Sequence, residues 1–84
     1  MKQAHNYFTT YDLNLSATLL ALGFTLEKIE RKESKGLFYF KRRDDLLKKI
    51  DDYFKDQILI SPLSFANSLK AIKNRLYSNL EERG

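Results

Sequence analysis

The eighteen residues from Tyr7 to Phe24, YFTTYDLNLSATLLALGF, constrain this chain more than any other stretch, because a strand, a helix start, a helix and a helix stop follow one another without a gap. Tyr7 to Thr9 favours a strand, since aromatic and β-branched side chains suit a pleated, half-buried surface. Thr10 is the expected N-cap, its hydroxyl accepting a free amide of the first turn, with Asp12 where a carboxylate meets the positive end of the helix dipole. Leu15, Leu19 and Leu22 then recur at helical spacing, and Leu13, Ala17, Leu20 and Ala21 widen the stripe until most of the circumference is apolar. A helix of this kind needs cover on more than one side. Ala17 and Ala21, one turn apart, leave a strip where another backbone can approach closely. Asn14, Ser16 and Thr18 mark the expected exposed edge, and Gly23 is the αL stop.

Met1 to Asn6 is polar and reads as a frayed lead-in, with His5 the one histidine. After the helix, Phe24 and Leu26 are expected to pack back on its end. Glu27 to Lys32 alternates charge around Ile29 and predicts a short edge strand, where charged side chains discourage unwanted pairing. Glu33-Ser34-Lys35-Gly36 is turn chemistry, with Gly36 free to take a positive φ. Leu37 to Lys41 is the strongest strand pattern in the chain, so the two strands form a hairpin. A second helix begins at Arg43 or Asp44. Leu46, Leu47, Ile50, Tyr53 and Phe54 make its apolar face, and Asp44–Lys48, Asp45–Lys49 and Asp51–Lys55 make i,i+4 pairs on a solvated side. Ile58 to Ile60 reads as a short extended segment. Ser61 and Pro62 then signal a third helix, with serine as N-cap and proline in the first turn. Its buried stripe is Phe65, Leu69, Ile72, Leu76 and Leu80 beside Ala66, and the tail Glu81 to Gly84 is expected to fray.

The order is therefore β, α, β, β, α, short β, α in a single domain, residues 1–84. A strand, helix, strand unit crosses over right-handed with its strands parallel, and a third strand hairpinned to the second fits between them. The expected fold is α+β, a small split β-α-β sheet of order 1-3-2 packed with three helices. Leu15, Leu19, Leu22, Phe40, Ile50, Phe54, Phe65, Leu69 and Ile72 are expected to share one core.

The pattern Phe8-x-Thr10-x-Asp12-Leu13-x-Leu15-x-Ala17-x-Leu19-Leu20-Ala21-Leu22-Gly23-Phe24 resembles the opening of a family of small bacterial and phage proteins catalogued only as a domain of unknown function. The likeness continues through Phe38-Tyr39-Phe40, an acidic-rich helix ending in an aromatic, and Leu69-Lys70-Ala71-Ile72-Lys73-Asn74-Arg75-Leu76-Tyr77. It departs at Ser16, where the family often has alanine, and at Lys41-Arg42-Arg43, which has no counterpart in the pattern. The resemblance implies the fold and a phage or mobile-element setting, and it carries no activity to transfer.

With 84 residues, the chain buries only about two thirds of its unfolded surface. An apolar helix in so small a domain is most easily covered by a second copy, so a homodimer is expected. Cysteine is absent, which excludes disulfides and thiolate metal sites. No apolar run approaches the ~18 residues of a membrane span, and the chain is read as cytoplasmic with no membrane partner.

The net charge is +4, and its placement matters more than its size. From Gln57 to Leu80 there is no acidic residue, while Lys70, Lys73 and Arg75 add positive charge, and Lys41, Arg42 and Arg43 form a second basic cluster. Nucleophilic catalysis lacks a cysteine, and the hydroxyl residues lack a nearby base. Three scattered glycines make neither a P-loop nor a dinucleotide fingerprint. A lone His5 has no partners for a metal. The chain is accordingly read as non-enzymatic, with no cofactor or metal.

Two binding readings follow. In the first, Lys70, Lys73, Asn74, Arg75 and Tyr77 of the third helix bind a DNA or RNA backbone, with an amide able to read adenine and an aromatic tip, and Lys41, Arg42 and Arg43 extend the footprint. On the flank of that helix, Arg75 and Tyr77 could instead drape over the core and serve packing alone. In the second, the chain binds itself or a host or phage protein through the first helix and the aromatic hairpin. The basic charge argues against an acidic DNA mimic and favours the nucleic-acid reading.

Overall fold

The computed structural model describes the backbone of residues 6–83 and the side chains of residues 6–78. The expectations for His5, the lead-in before Asn6, the Leu80 side chain and Gly84 lie outside those residues. Six elements follow one another: β1 (Tyr7–Thr10), α1 (Leu13–Ala21), β2 (Leu26–Lys32), β3 (Lys35–Lys41), α2 (Leu46–Phe54) and α3 (Pro62–Arg83). The sheet order is β1-β3-β2, with β3 antiparallel to both neighbours, so β1 and β2 run parallel on either side of it. This is the expected α+β arrangement.

Helix α1 starts two residues later than the sequence suggests. Thr10 still belongs to β1, and the N-cap is Asp12, whose Oδ1 accepts the Leu15 amide at 3.0 Å. The Thr10 hydroxyl accepts the Asp12 amide instead, at 3.0 Å. Five consecutive residues, Leu15 to Leu19, are buried, so the helix is covered all round. Ser16 and Thr18, expected at the exposed edge, are therefore interior. Their hydroxyls donate to the carbonyls of Asp12 (2.8 Å) and Asn14 (3.0 Å), which satisfies them without leaving the helix. Gly23 ends the helix at φ 99°.

The hairpin also differs from expectation. The turn is Glu33-Ser34, closed by the Lys32–Lys35 pair, and Glu33 rather than Gly36 takes the positive φ, at 60°. Gly36 lies inside β3, where a Cβ would stand 2.9 Å from Leu76 Cδ1. Its job is to let α3 come down onto the strand.

The core joins Leu15, Ala17 and Leu19 of α1, Phe24, Leu26 and Ile29, Phe38 and Phe40 of β3, Leu46 of α2 and Ile72 of α3. Leu22, Ile50, Phe65 and Leu69 pack at its margin. Phe54 does not join it: it is 67 % exposed, because α2 turns Leu46, Ile50 and Tyr53 inward and leaves Leu47 and Phe54 outside. Asp44 and Asp45 precede the first turn of α2, and the ion pairs expected between them and Lys48 and Lys49 are not made. Lys48 pairs with Asp52 (3.2 Å), Asp45 with Arg43 (2.9 Å), and Asp51 with Lys55 as expected (2.9 Å). Ile58 to Ile60 is not a strand; it is a connection with no ladder partner. Ser61 caps α3, accepting the Ser64 amide at 3.0 Å, and the helix backbone continues through Arg83, where fraying was expected.

Candidate functional site

Alternation along the strands sorts their residues between two faces, and residues directly opposite on an antiparallel pair share a face. Phe38 and Phe40 of β3, with Phe8, Thr10, Leu26 and Ile29 as their partners, face the helices. Leu26 and Ile29 can both face inward because a bulge follows Leu26. The other face has no buried residue. It carries Tyr7 and Thr9 from β1, Lys35, Leu37, Tyr39 and Lys41 from β3, and Lys28, Glu30 and Lys32 from β2. Tyr11, half exposed just past β1, lies beside Lys35.

These side chains are organised. The Tyr7 and Tyr39 rings meet edge to face with centroids 6.0 Å apart. Lys28 Nζ stands 4.6 Å above the Tyr39 ring, and Lys35 Nζ 5.6 Å from that of Tyr11. The Tyr39 hydroxyl donates to Glu30 Oε1 at 2.6 Å. That hydrogen bond holds the Glu30 carboxyl below its ordinary range, with Lys32 and Lys28 adding to the effect, and pushes the Tyr39 phenol up. Four lysines against one glutamate make the face cationic.

The residues singled out in the sequence are divided by the structure. Lys70, Lys73, Asn74 and Tyr77 are exposed on α3. At 3.6 residues per turn Lys70 and Tyr77 point roughly opposite to the buried Ile72, away from the sheet. Arg75 sits on the flank and donates from Nη1 to the Leu26 carbonyl at 3.3 Å, covering the backbone of an edge strand. A groove of about 380 Å³ between the β2 edge and α3 is lined by Lys28, Asn74, Arg75 and Ser78 together with Glu27 and Ile29. Lys41 belongs to the open sheet face, opposite Tyr7. Arg42 is exposed, its amide bonded to the Asn6 carbonyl. Arg43 is engaged locally: it lies 4.1 Å over the Phe24 ring and grips both Asp45 oxygens, at 3.1 and 2.9 Å.

Residues 5–78 match the family described as Domain of unknown function (DUF5659). The chain belongs to that family. No curated protein and no solved structure matches it. The match takes in β1 through α2 and α3 as far as Ser78, so the open sheet face and the groove beside it are part of the DUF5659 domain itself.

Among the described residues of this DUF5659 chain, no group of three His, Cys, Asp or Glu side chains could hold a metal, and no buried side-chain N or O lacks a hydrogen-bond partner. Among the described residues no helix is long and apolar enough to cross a membrane. Sequence reading missed Tyr7, Tyr11, Tyr39, Lys28, Lys32 and Lys35 as a group. The available signal was the period-two spacing of Tyr7-Thr9-Tyr11 and of Lys35-Leu37-Tyr39-Lys41, in phase with the apolar residues between them.

Proposed function

We propose that this DUF5659 domain is a small non-enzymatic nucleic-acid-binding module, and that its main contact surface is the open face of the sheet rather than α3. The observation that carries this reading is the grouping of Lys28, Lys32, Lys35 and Lys41 with Tyr7 and Tyr39 on one uncovered face bearing a single carboxylate. Lysines there neutralise phosphates and release counterions, and tyrosines supply hydrogen bonds and flat apolar surface. The α3 set is a weaker candidate because it is divided: Arg75 is tied to Leu26, Asn74 lines the groove beside β2, and Lys70 and Tyr77 face away from the sheet.

Salt-dependent binding of labelled DNA and RNA, single- and double-stranded, tests the reading. Each of Lys28→Ala, Lys35→Ala and Lys41→Ala is expected to reduce the slope of log affinity against log salt by roughly 0.7 to 0.9. A Lys70→Ala, Lys73→Ala double variant is expected to change it little. A wild-type chain with no salt-sensitive affinity for any of these nucleic acids overturns the proposal.

A second reading, docking of a protein or a second copy, is favoured by one observation. Leu47 and Phe54 are exposed two turns apart on α2, and Phe54 lines a groove of about 450 Å³ with Tyr53, Ile58 and Ile60. This moves the interaction surface away from α1, whose centre α3 and the sheet already cover. A mass that rises with concentration, and returns to the monomer in Phe54→Ser, supports self-association there.

A further inference from the structure

We propose that the open sheet face selects single-stranded nucleic acid, with phosphates tracking the β2 side and unpaired bases turned inward onto Tyr39, Tyr7 and Tyr11, an inference that rests on the nucleic-acid reading of the same face. The β2 margin of the face carries lysines and no ring, and the rings lie toward β1. Lys28 and Lys32 stand on β2 at one margin of the face, Lys35 and Lys41 stand at the two ends of β3, and the rings lie at the middle of β3 (Tyr39), on β1 (Tyr7) and just past it (Tyr11). A chain laid along β2 therefore meets ammonium groups with its backbone and aromatic surface with its bases.

Paired bases cannot use such rings. Inside a duplex the base faces are already stacked on one another, and only a splayed strand offers them to a side chain. Tyr7 and Tyr11 are four residues apart on an extended chain, about 13 Å at 3.3 Å per residue, so they are separate stacking positions. Tyr39 is held in place from two directions, by the Glu30 hydrogen bond at 2.6 Å and by the edge-to-face contact with Tyr7.

In the free protein, ammonium groups rest on two of these rings, Lys28 on Tyr39 and Lys35 on Tyr11. Exposed cation–π contacts are weak, and a phosphate is a stronger partner for a lysine than a ring face. Strand binding thus draws each ammonium outward to the backbone and frees the ring for a base. Both partners of each cation–π pair are used, one by the phosphate and one by the base. On the β2 side Glu30 opposes the phosphates from the open face, where it is already engaged by Tyr39 and, at 3.8 Å, by Lys32, and Glu27 lies at the edge groove beside Lys28.

The test compares oligo(dT), a duplex of equal length and an abasic strand of the same length that keeps sugar and phosphate but lacks bases, all at one low salt concentration. Oligo(dT) is expected to bind tightest and to change the intrinsic tyrosine emission, which is readable because the chain has no tryptophan. Tyr39→Leu is expected to weaken oligo(dT) binding between about five- and 150-fold, the usual range for one stacked base, while leaving the salt slope and abasic-strand affinity unchanged. Tyr39→Phe keeps the ring but loses the Glu30 bond, and is expected to weaken oligo(dT) binding less than Tyr39→Leu does, which separates stacking from the hydrogen bond, while unchanged abasic-strand affinity in both variants shows that the fold is kept. Abasic and dT strands bound equally, or a duplex bound more tightly than either, overturns single-strand selection while leaving the nucleic-acid reading in place. Absence of binding to all three and to single- and double-stranded RNA overturns both.

Discussion

The two faces of the sheet are built from the same three strands and draw on the same aromatic residue class, yet one is sealed and the other open. On β3 alone, Phe38 and Phe40 are buried while Tyr39 between them is only half covered and Lys41 beside them is exposed. The inward face meets α1, α2 and α3, and its aromatics are phenylalanines that carry no polar atom. Among the described residues the outward face meets no helix, and its aromatics are tyrosines whose hydroxyls can stay hydrated or find a surface partner, as Tyr39 does with Glu30. The difference teaches that a hydroxyl on an aromatic ring, repeated every second residue, is the sequence's mark of a face that stays wet.

The sharpest way to break this comparison is to truncate neighbours on opposite faces. Phe40→Ala should destabilise by about 3 to 5 kcal/mol through lost burial and a cavity, and Leu19→Ala by about 2 to 5 kcal/mol. Tyr39→Ala should cost far less in the same denaturant titration. Similar losses at positions 39 and 40 would mean that the outer face is covered after all.

A smaller effect is expected at Gly36, on the inward face. Gly36→Ala places a methyl against Leu76 and Ile29, at 2.9 and 3.3 Å before relaxation. The contact at Leu76 is the tip of a flexible side chain, so the cost should be near the low end of overpacking, about 1 kcal/mol. Combined with Leu76→Ala the penalty at position 36 should vanish, and a double-mutant cycle without coupling would show that α3 does not press on the strand there.

Of similar size is the cap that fixes where α1 begins under the sheet. Asp12→Ala should cost about 1 kcal/mol, more than Thr10→Ala, because only Asp12 accepts an amide of the helix. The reverse order in thermal melts would restore Thr10 as the cap.

The smallest effect sharpens the outer face. The folded-state pKa of Glu30 is lowered, so the Glu30–Tyr39 bond contributes stability above the ordinary carboxylate range and loses it as pH falls through the lowered value. The Tyr39 phenol is raised, so the same bond persists on the alkaline side until pH rises through that raised value. Tyr39→Phe should therefore lower the Tm slightly at neutral pH, with the gap closing in acid. A gap that is constant down to strongly acidic pH would assign the difference to something other than this hydrogen bond.

Much of the fold was legible in the residues. The period-two and period-3.6 patterns, Gly23, and Ser61 with Pro62 located all six elements, and the rule for crossover connections put β3 between β1 and β2. The misplacements share one cause. Ser16 and Thr18 look like surface residues, but a helix can bond such hydroxyls to its own carbonyls, so burial costs them little once neighbours arrive. Gly36 looks like a turn residue, but its reason is Leu76, forty positions along the chain.

The candidate site was less legible. Sequence placed the basic clusters correctly along the chain and could not say which cations were already engaged. Arg43 holds Asp45 and covers Phe24, and Arg75 holds a β2 carbonyl 49 positions away, whereas Lys28 and Lys35, set in an alternating-charge strand and a turn, stand over aromatic rings. By itself the sequence determined which residues alternate, where helices start and stop, and that the chain is basic, because these depend on local backbone geometry and composition. The tertiary structure decided that all three helices gather on one side of the sheet, and with it which tyrosines and lysines share an uncovered face. Side-chain period assigns residues to two faces, and only packing between distant segments settles which face is closed to water.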